Sequence, residues 1–281
     1  MSLLFALLLQ VGPNPVAPPP GAEEDILNRP PRPETSEEFS NPTSKWLAEC
    51  LDLIEEDAAR AHTKAQIRRN ETSGAERVIA NHCLGLASTE LGLWSDAETA
   101  FFDAREETPS EEARTRSRFA AMAGNAALAG GDAERAVTLL STAQEDARIA
   151  ASATLEAIAA SDMARALVAL ERPQEALLAL ANVTRLEPDK AEGWLLTATL
   201  FRRMERLDDA QEAIERAASL APVDGQIGLE AGVIAVLDGR NDAARQSWQS
   251  VIDTQPDSLA AQTAKEYLAQ IGSAPEEPAT P

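Results

Sequence analysis

Residues 191–224 read AEGWLLTATLFRRMERLDDAQEAIERAASLAPVD, and their pattern predicts the architecture of the chain. Small residues, Ala198 and Ala210, stand at the eighth and twentieth positions of this stretch, with apolar residues around them at helical spacing. We expect the two small residues to face each other, which lets two helix axes approach closely. Pro222, at the thirty-second position, should end the second helix. The stretch therefore predicts a pair of helices joined by a turn.

The same pattern recurs along the chain. A shift of 34 residues in either direction places small residues at Gly232 and Ala164, and prolines at Pro256 and Pro188. Such a period predicts a solenoid, in which each helical hairpin buries its apolar face against the next. The predicted units are a degenerate first unit at 44–77, repeats at 78–111, 117–150, 157–190, 191–224 and 225–258, and a capping helix at 259–271.

This pattern resembles the tetratricopeptide-repeat family over roughly residues 44–271. The resemblance implies an all-α fold, a right-handed α-solenoid of helix-turn-helix repeats. The composition agrees with helices, because aromatic residues are only 4% of the chain and β-branched residues form no strand-like runs. The resemblance also implies that the protein holds other proteins, with a partner segment on the concave surface formed by the first helix of each repeat.

The charge of the chain excludes two classes of partner. A formal net charge of −21 argues against sequence-independent binding to nucleic acid or anionic lipid, since both require positive charge at phosphate groups. No apolar run approaches the roughly 20 residues that a membrane-spanning helix needs. We therefore expect protein or peptide partners, no nucleic acid and no membrane span.

The amino-terminal segment suggests export. Residues 1–11 read MSLLFALLLQV, an apolar run as long as a signal-peptide core, and a proline-rich tract follows to Pro20. We predict a signal peptide within residues 1–20 and a periplasmic or exported protein. The run has no preceding Lys or Arg and no clean A-x-A site, so a cytoplasmic protein remains the alternative. Residues 21–43 are predicted to be an extended linker, and 272–281 a disordered tail.

Two cysteines and two histidines lie near each other in sequence: Cys50, His62, His82 and Cys83. Their spacing matches no zinc motif, and adjacent residues on a helix point about 100° apart, so we predict no metal site. Cys50 and Cys83 fall at nearly the same height on neighbouring first helices, which makes a disulfide feasible. Two reduced, buried thiols remain the alternative, because the compartment decides between them.

The resemblance also points to residues of the concave surface. Ligand-facing positions of the family correspond here to His82, Glu90, Arg118, Asn125, Arg165, Glu192, Arg202 and Arg203. Arginine outnumbers carboxylate among them although the chain is acidic, so we predict that Arg118, Asn125, Arg165, Arg202 and Arg203 form a groove for an acidic or carboxylate-ended partner segment. The alternative is that these are ordinary solvated arginines. The lysine/asparagine clamp of chaperone-binding members is matched only at Asn125, which disfavours that particular partner.

The sequence therefore predicts a non-enzymatic scaffold or adaptor of the bacterial cell envelope, without catalytic residues or cofactors. A glycine cluster at Gly124, Gly130 and Gly131 has no preceding strand and no following Lys-Ser/Thr, as a phosphate loop would require. One alternative is a structural assembly or oligomerisation module of a larger envelope complex. A weaker alternative is an enzyme with an unrecognised site.

Overall fold

The computed structural model describes residues 42–272, and all regular secondary structure in that range is helical. The predicted signal peptide, nearly all of the linker and nearly all of the tail lie outside the described residues. The helices are α1 (Pro42–Glu71), α2 (Ala75–Glu90), α3 (Trp94–Glu107), α4 (Ala113–Ala129), α5 (Ala133–Ile149), α6 (Ala153–Ala169), α7 (Pro173–Leu186), α8 (Ala191–Arg203), α9 (Leu207–Leu220), α10 (Gly225–Leu237), α11 (Asn241–Thr254) and α12 (Leu259–Ile271).

From α2 onward, each helix packs against the next one in the chain, and the helices pair into successive hairpins. The core is a series of apolar clusters that pass from one hairpin to the next. Helix α12 packs on the last hairpin, against α11 and α10. The fold is a right-handed α-solenoid, which confirms the all-α class predicted from the sequence.

The close contact within a hairpin differs in detail from the expectation that its two small residues face each other. A methyl group at Gly124 would lie 2.7 Å from Cγ of Leu140 and 3.4 Å from the backbone oxygen of Ala136. A methyl group at Gly232 would overlap the ring of Trp248. The small residue at the eighth position of a repeat thus packs mainly against the large side chain at the twenty-fourth position. It approaches only the backbone of the small residue at the twentieth position.

Helix α1 corresponds to the degenerate first unit and is itself a hairpin. The backbone leaves the helical conformation at Asp57 (φ −158°, ψ 89°), and Oδ1 of Asp57 accepts a hydrogen bond of 3.0 Å from the backbone N–H of Arg60. The second half folds back along the first, since Nζ of Lys64 lies 3.8 Å from a carboxylate oxygen of Glu49. Asp57 therefore acts as the turn and as the amino-terminal cap of the second half.

Four helices begin earlier than the predicted units, and one of them is α2, which begins at Ala75 rather than at residue 78. Helix α1 begins at Pro42, inside the predicted linker, where a proline loses no hydrogen bond because the first helical N–H has no partner in the helix. Helix α4 follows directly from a 3₁₀ turn at Ser110–Glu112. At the start of α6, Oγ of Ser152 accepts a hydrogen bond from the backbone N–H of Leu155. The residues between the predicted repeats thus extend the first helices.

A disulfide joins the first two hairpins. Cys50 of α1 and Cys83 of α2 are bonded, with their Cα atoms 6.4 Å apart, and both are fully buried. They pack in one apolar cluster with Ala61, Ala65 and Leu84. The structure thus favours the disulfide over the two reduced thiols that the sequence left open.

We predict that reduction of this disulfide lowers the free energy of unfolding by about 2–4 kcal/mol, because the bond closes a long loop in the unfolded chain. Chemical denaturation with and without reductant measures the change. The double variant Cys50→Ala/Cys83→Ala is the control and should not respond to reductant. An unchanged unfolding midpoint of the wild-type protein under reduction would contradict this prediction.

Candidate functional site

A groove of about 890 Å³ runs across the first helices of three successive hairpins, α2, α4 and α6. The segment between α3 and α4 closes one side of it. We call it the amino-terminal groove and define it by Ile79, His82, Arg118, Met122, Asn125 and Ile158. Since first helices line the concave surface of such a solenoid, the groove lies where the sequence predicted a binding surface.

The floor of the amino-terminal groove is largely apolar. Ile79, Met122 and Leu155 are partly exposed there, and the side chain of Phe119 lies beneath them with 6% of its surface accessible. Ile158 is 47% exposed, which is unusual for an isoleucine in the middle of a helix. The floor can therefore bury apolar side chains of a ligand.

Two arginines, Arg114 and Arg118, lie at the edge of this floor, and neither forms an ion pair with another described residue. Arg118 is exposed, and Arg114 donates only a hydrogen bond of 3.3 Å to Oγ of Ser152. The neighbouring Glu107, in contrast, is held by Nε of Arg77 at 2.6 Å. Both groove arginines are thus free to pair with the carboxylates of a ligand.

Three of the five predicted groove residues have partners within the protein. Nδ2 of Asn125 donates a hydrogen bond of 2.7 Å to Oδ2 of Asp162, and Arg165 pairs with the other oxygen of the same carboxylate. Nε of Arg202 lies 2.6 Å from Oε1 of Glu230, and both side chains are mostly buried. The Asn125–Asp162 and Arg202–Glu230 contacts link neighbouring hairpins, whereas the Arg165–Asp162 pair lies within α6. Both ion pairs reduce what Arg165 and Arg202 can offer to a ligand.

Arg203 belongs to a second, smaller pocket of about 270 Å³ between α6, α7 and α8. Arg165 shares the rim of this pocket, and its walls include Val168, Leu196 and Leu200. Arg202 lines neither pocket. The structure thus brings Arg118 and Asn125 together in one groove, and Arg165 and Arg203 together in another.

The sequence analysis did not identify the carboxylates that pair with Arg165 and Arg202. Asp162 and Glu230 both occupy the sixth position of their repeats, next to a position expected to face the ligand, so the repeat register carried a signal for them. Arg114 was missed because it precedes the predicted start of its repeat at 117. Glu90 and Glu192, which were expected on the concave surface, are both exposed.

His82 lies in the groove with its ring against Phe119, in an edge-on contact with ring centres 5.2 Å apart. Burial lowers the pKa of His82 below its ordinary value, because desolvation penalises the charged imidazolium. The imidazole is therefore neutral near pH 7 and acts as part of the apolar floor.

We predict that this burial makes the fold less stable in mild acid. A histidine with a lowered pKa binds fewer protons in the folded than in the unfolded chain, so stability is lost as pH falls below about 6.5. Denaturation at several values from pH 7.5 to pH 5 should show a smaller loss in His82→Gln than in the wild type. Identical pH dependence of the two proteins would contradict the assignment.

Within residues 42–272, no group of three or more His, Cys, Asp and Glu side chains is placed to hold a metal ion. In the same range, no helix combines the length and the apolar character needed to cross a bilayer.

Comparison with known proteins gives matches to repeat proteins. Residues 161–203 and 195–260 match the family model described as tetratricopeptide repeat. MamA (residues 41 to the end) from Desulfovibrio magneticus RS-1 superposes with a TM-score of 0.52 at 18% identity, covering 64% of this chain and 97% of its own. PilF of Pseudomonas aeruginosa superposes with a TM-score of 0.56 at 14% identity, covering 80% and 97%. At these identities the likeness shows the fold alone. Among curated proteins there is no significant sequence match.

Proposed function

This chain belongs to the tetratricopeptide-repeat family, and from that membership we propose that it is a non-enzymatic scaffold that holds a segment of another protein in the amino-terminal groove. The observation that carries the proposal is the groove itself, about 890 Å³ in volume, with exposed apolar side chains on its floor. Monomeric proteins rarely leave large apolar patches open to solvent without a binding role.

The charges at the groove favour an acidic segment. Arg114 and Arg118 have no carboxylate partner among the described residues, whereas two of the three lining carboxylates, Glu107 and Asp162, are already paired and only the exposed Glu112 is not. An arginine beside an apolar surface forms strong, geometrically defined pairs with carboxylates. The proposed ligand therefore carries aliphatic side chains for the floor and Asp, Glu or a terminal carboxylate for the two arginines.

The mechanism is preorganisation. Asp162 is nearly buried and receives Asn125 from one hairpin and Arg165 from its own, so this side of the groove is fixed before a ligand arrives. A rigid surface loses little conformational entropy on binding, and a flexible segment can then be held by a few contacts. Arg165 and Arg202 act mainly as structural residues in this proposal.

Our proposal also places the protein in the cell envelope. The disulfide between Cys50 and Cys83 supports it, since disulfides persist mainly in oxidising compartments. The apolar run at residues 1–11 supports it too, although that run lies outside the described residues.

We predict that protein purified from its source cells has lost about the first 17 to 21 residues and carries oxidised cysteines. Intact mass under non-reducing conditions checks both points. A species that retains residue 1 and has reduced thiols would refute the envelope assignment without touching the groove.

The groove proposal predicts a particular peptide preference. From a displayed library of random dodecapeptides, the wild-type protein should select sequences that combine aliphatic with acidic residues. Arg114→Glu/Arg118→Glu should bind the selected peptides at least about tenfold more weakly, since each lost charge pair costs on the order of 1–3 kcal/mol. Fluorescence anisotropy with the labelled peptides measures the change in Kd.

The matched control is Arg185→Glu/Arg216→Glu, which makes the same change in net charge on exposed parts of the second helices α7 and α9. It should bind like the wild type. Reversal of Arg165 and Arg202 would be a poorer test, because it also breaks their contacts with Asp162 and Glu230. Equal loss in both double variants, or unchanged binding by the Arg114/Arg118 variant, would reject the groove.

A further inference from the structure

The first hairpin has an outer face, on the side of α1 opposite to its contact with α2. Cys50, Ala61 and Ala65 point toward α2 and are fully buried. The residues half a turn away on each half of α1 line a shallow groove of about 720 Å³. We define the outer face by Glu49, Asp52, Leu53, Glu56, Arg60, Lys64 and Ile67.

The two halves of the outer face carry opposite charge. The first half of α1 presents Glu49, Asp52 and Glu56, at the spacing of one helix face. The second half presents Arg60 and Lys64 at the same spacing. Because the halves are antiparallel, the row of acidic side chains (the acidic wall) lies beside the row of basic side chains (the basic wall) along the hairpin.

Apolar side chains lie between these walls. Leu53 is partly exposed, and Ile67 is 53% exposed. In each later hairpin of the described solenoid, the corresponding face is covered by the preceding hairpin. The outer face thus combines a small apolar centre with a charge pattern on either side of it.

We propose that the outer face binds the outer face of a second copy of this chain, which gives a symmetric dimer through the first hairpins. This inference goes beyond the groove and does not depend on it. The observation that selects a second copy is self-complementary charge: a two-fold interface brings each surface against itself, so it is favourable only where the surface carries both signs in the right order.

The charge order also selects the symmetry axis. An axis parallel to the helices places the first half of one α1 over the second half of the other, at the same height along the hairpin. Glu49 and Lys64 are 3.8 Å apart within one chain, so they share a height, and each would also meet its counterpart in the second copy. An axis perpendicular to the helices would stack acidic wall on acidic wall, which is repulsive.

The size of the face makes the dimer weak. Each half of α1 is about 20 Å long, at 1.5 Å per residue, and two helices side by side span about 20 Å. The footprint of about 400 Å² per copy is half of what stable interfaces bury, about 800 Å² per partner. Each copy is also strongly acidic, so the long-range repulsion must be screened by salt. We expect a reversible dimer that forms at micromolar to millimolar protein in physiological salt.

Sedimentation equilibrium of the full chain over that concentration range tests the dimer. Two variants change only the outer face: Arg60→Glu/Lys64→Glu makes both walls acidic, and Glu49→Lys/Asp52→Lys/Glu56→Lys makes both walls basic. Each variant alone should dimerise at least about tenfold more weakly than the wild type, because like charges meet across the interface. Circular dichroism checks that both remain folded.

An equimolar mixture of the two variants gives the sharpest result. The acidic copy should pair with the basic copy, so a heterodimer should form in the mixture although neither variant dimerises alone. A non-specific loss of solubility or folding would not restore association in this way. A mixture that stays monomeric would overturn the proposal, as would a dimer of the wild type that both variants retain.

A third variant, Ile67→Asp, distinguishes a second copy from the alternative occupant of the outer face, which is the chain's own segment before residue 42. In the proposed dimer, this change weakens association and leaves the unfolding temperature of dilute monomer unchanged, because Ile67 is exposed there. A wild type that stays monomeric, together with a lower unfolding temperature of dilute Ile67→Asp, would assign the face to the chain's own segment and overturn the dimer. The peptide-binding test of the groove is unaffected by either result.

Discussion

The fold depends on one steric constraint, the close approach of the two helices within each hairpin. Gly124 and Gly232 leave no room for a side chain because Leu140 and Trp248 fill the space above them. The hairpins that contain these glycines are thereby held in one close geometry, and successive hairpins of such a solenoid stack with a regular rotation. The first helices then form one continuous surface, so a local contact between two residue positions sets the shape of a groove that spans three repeats.

Most of the fold followed from the sequence because this constraint repeats at a fixed period. The small residues at Ala164, Ala198 and Gly232 fixed the register, and the all-α solenoid followed. Details outside the period were harder to predict. The starts of α4 and α6 depend on a 3₁₀ turn and on a serine cap, local features whose place the 34-residue register does not predict. The turn at Asp57 likewise interrupts a sequence that favours helix on both sides.

The sequence predicted part of the geometry of the candidate site but not its electrostatics. The register placed Arg118 and Asn125 in one groove, as the structure does. The Arg165–Asp162 pair lies at i,i+3 within α6 and could have been predicted from the sequence, whereas the Asn125–Asp162 contact could not, because it joins hairpins whose spacing departs from the regular period. An arginine identified in the sequence can bind a partner's carboxylate only if it does not already form an ion pair within the protein.

The disulfide gives the solenoid two unequal ends. A hairpin at the end of such a stack has a neighbour on one side only and frays first. At the amino-terminal end, Cys50 and Cys83 hold the first hairpin to the second covalently, whereas α12 is attached to the last hairpin by packing and by hydrogen bonds from Arg245 to the backbone oxygens of Ile271 and Gly272. Under heat or mechanical tension, unfolding of the oxidised protein should therefore begin at the carboxy-terminal end and proceed toward the disulfide. The surface formed by α2, α4 and α6 should then be the last part to unfold.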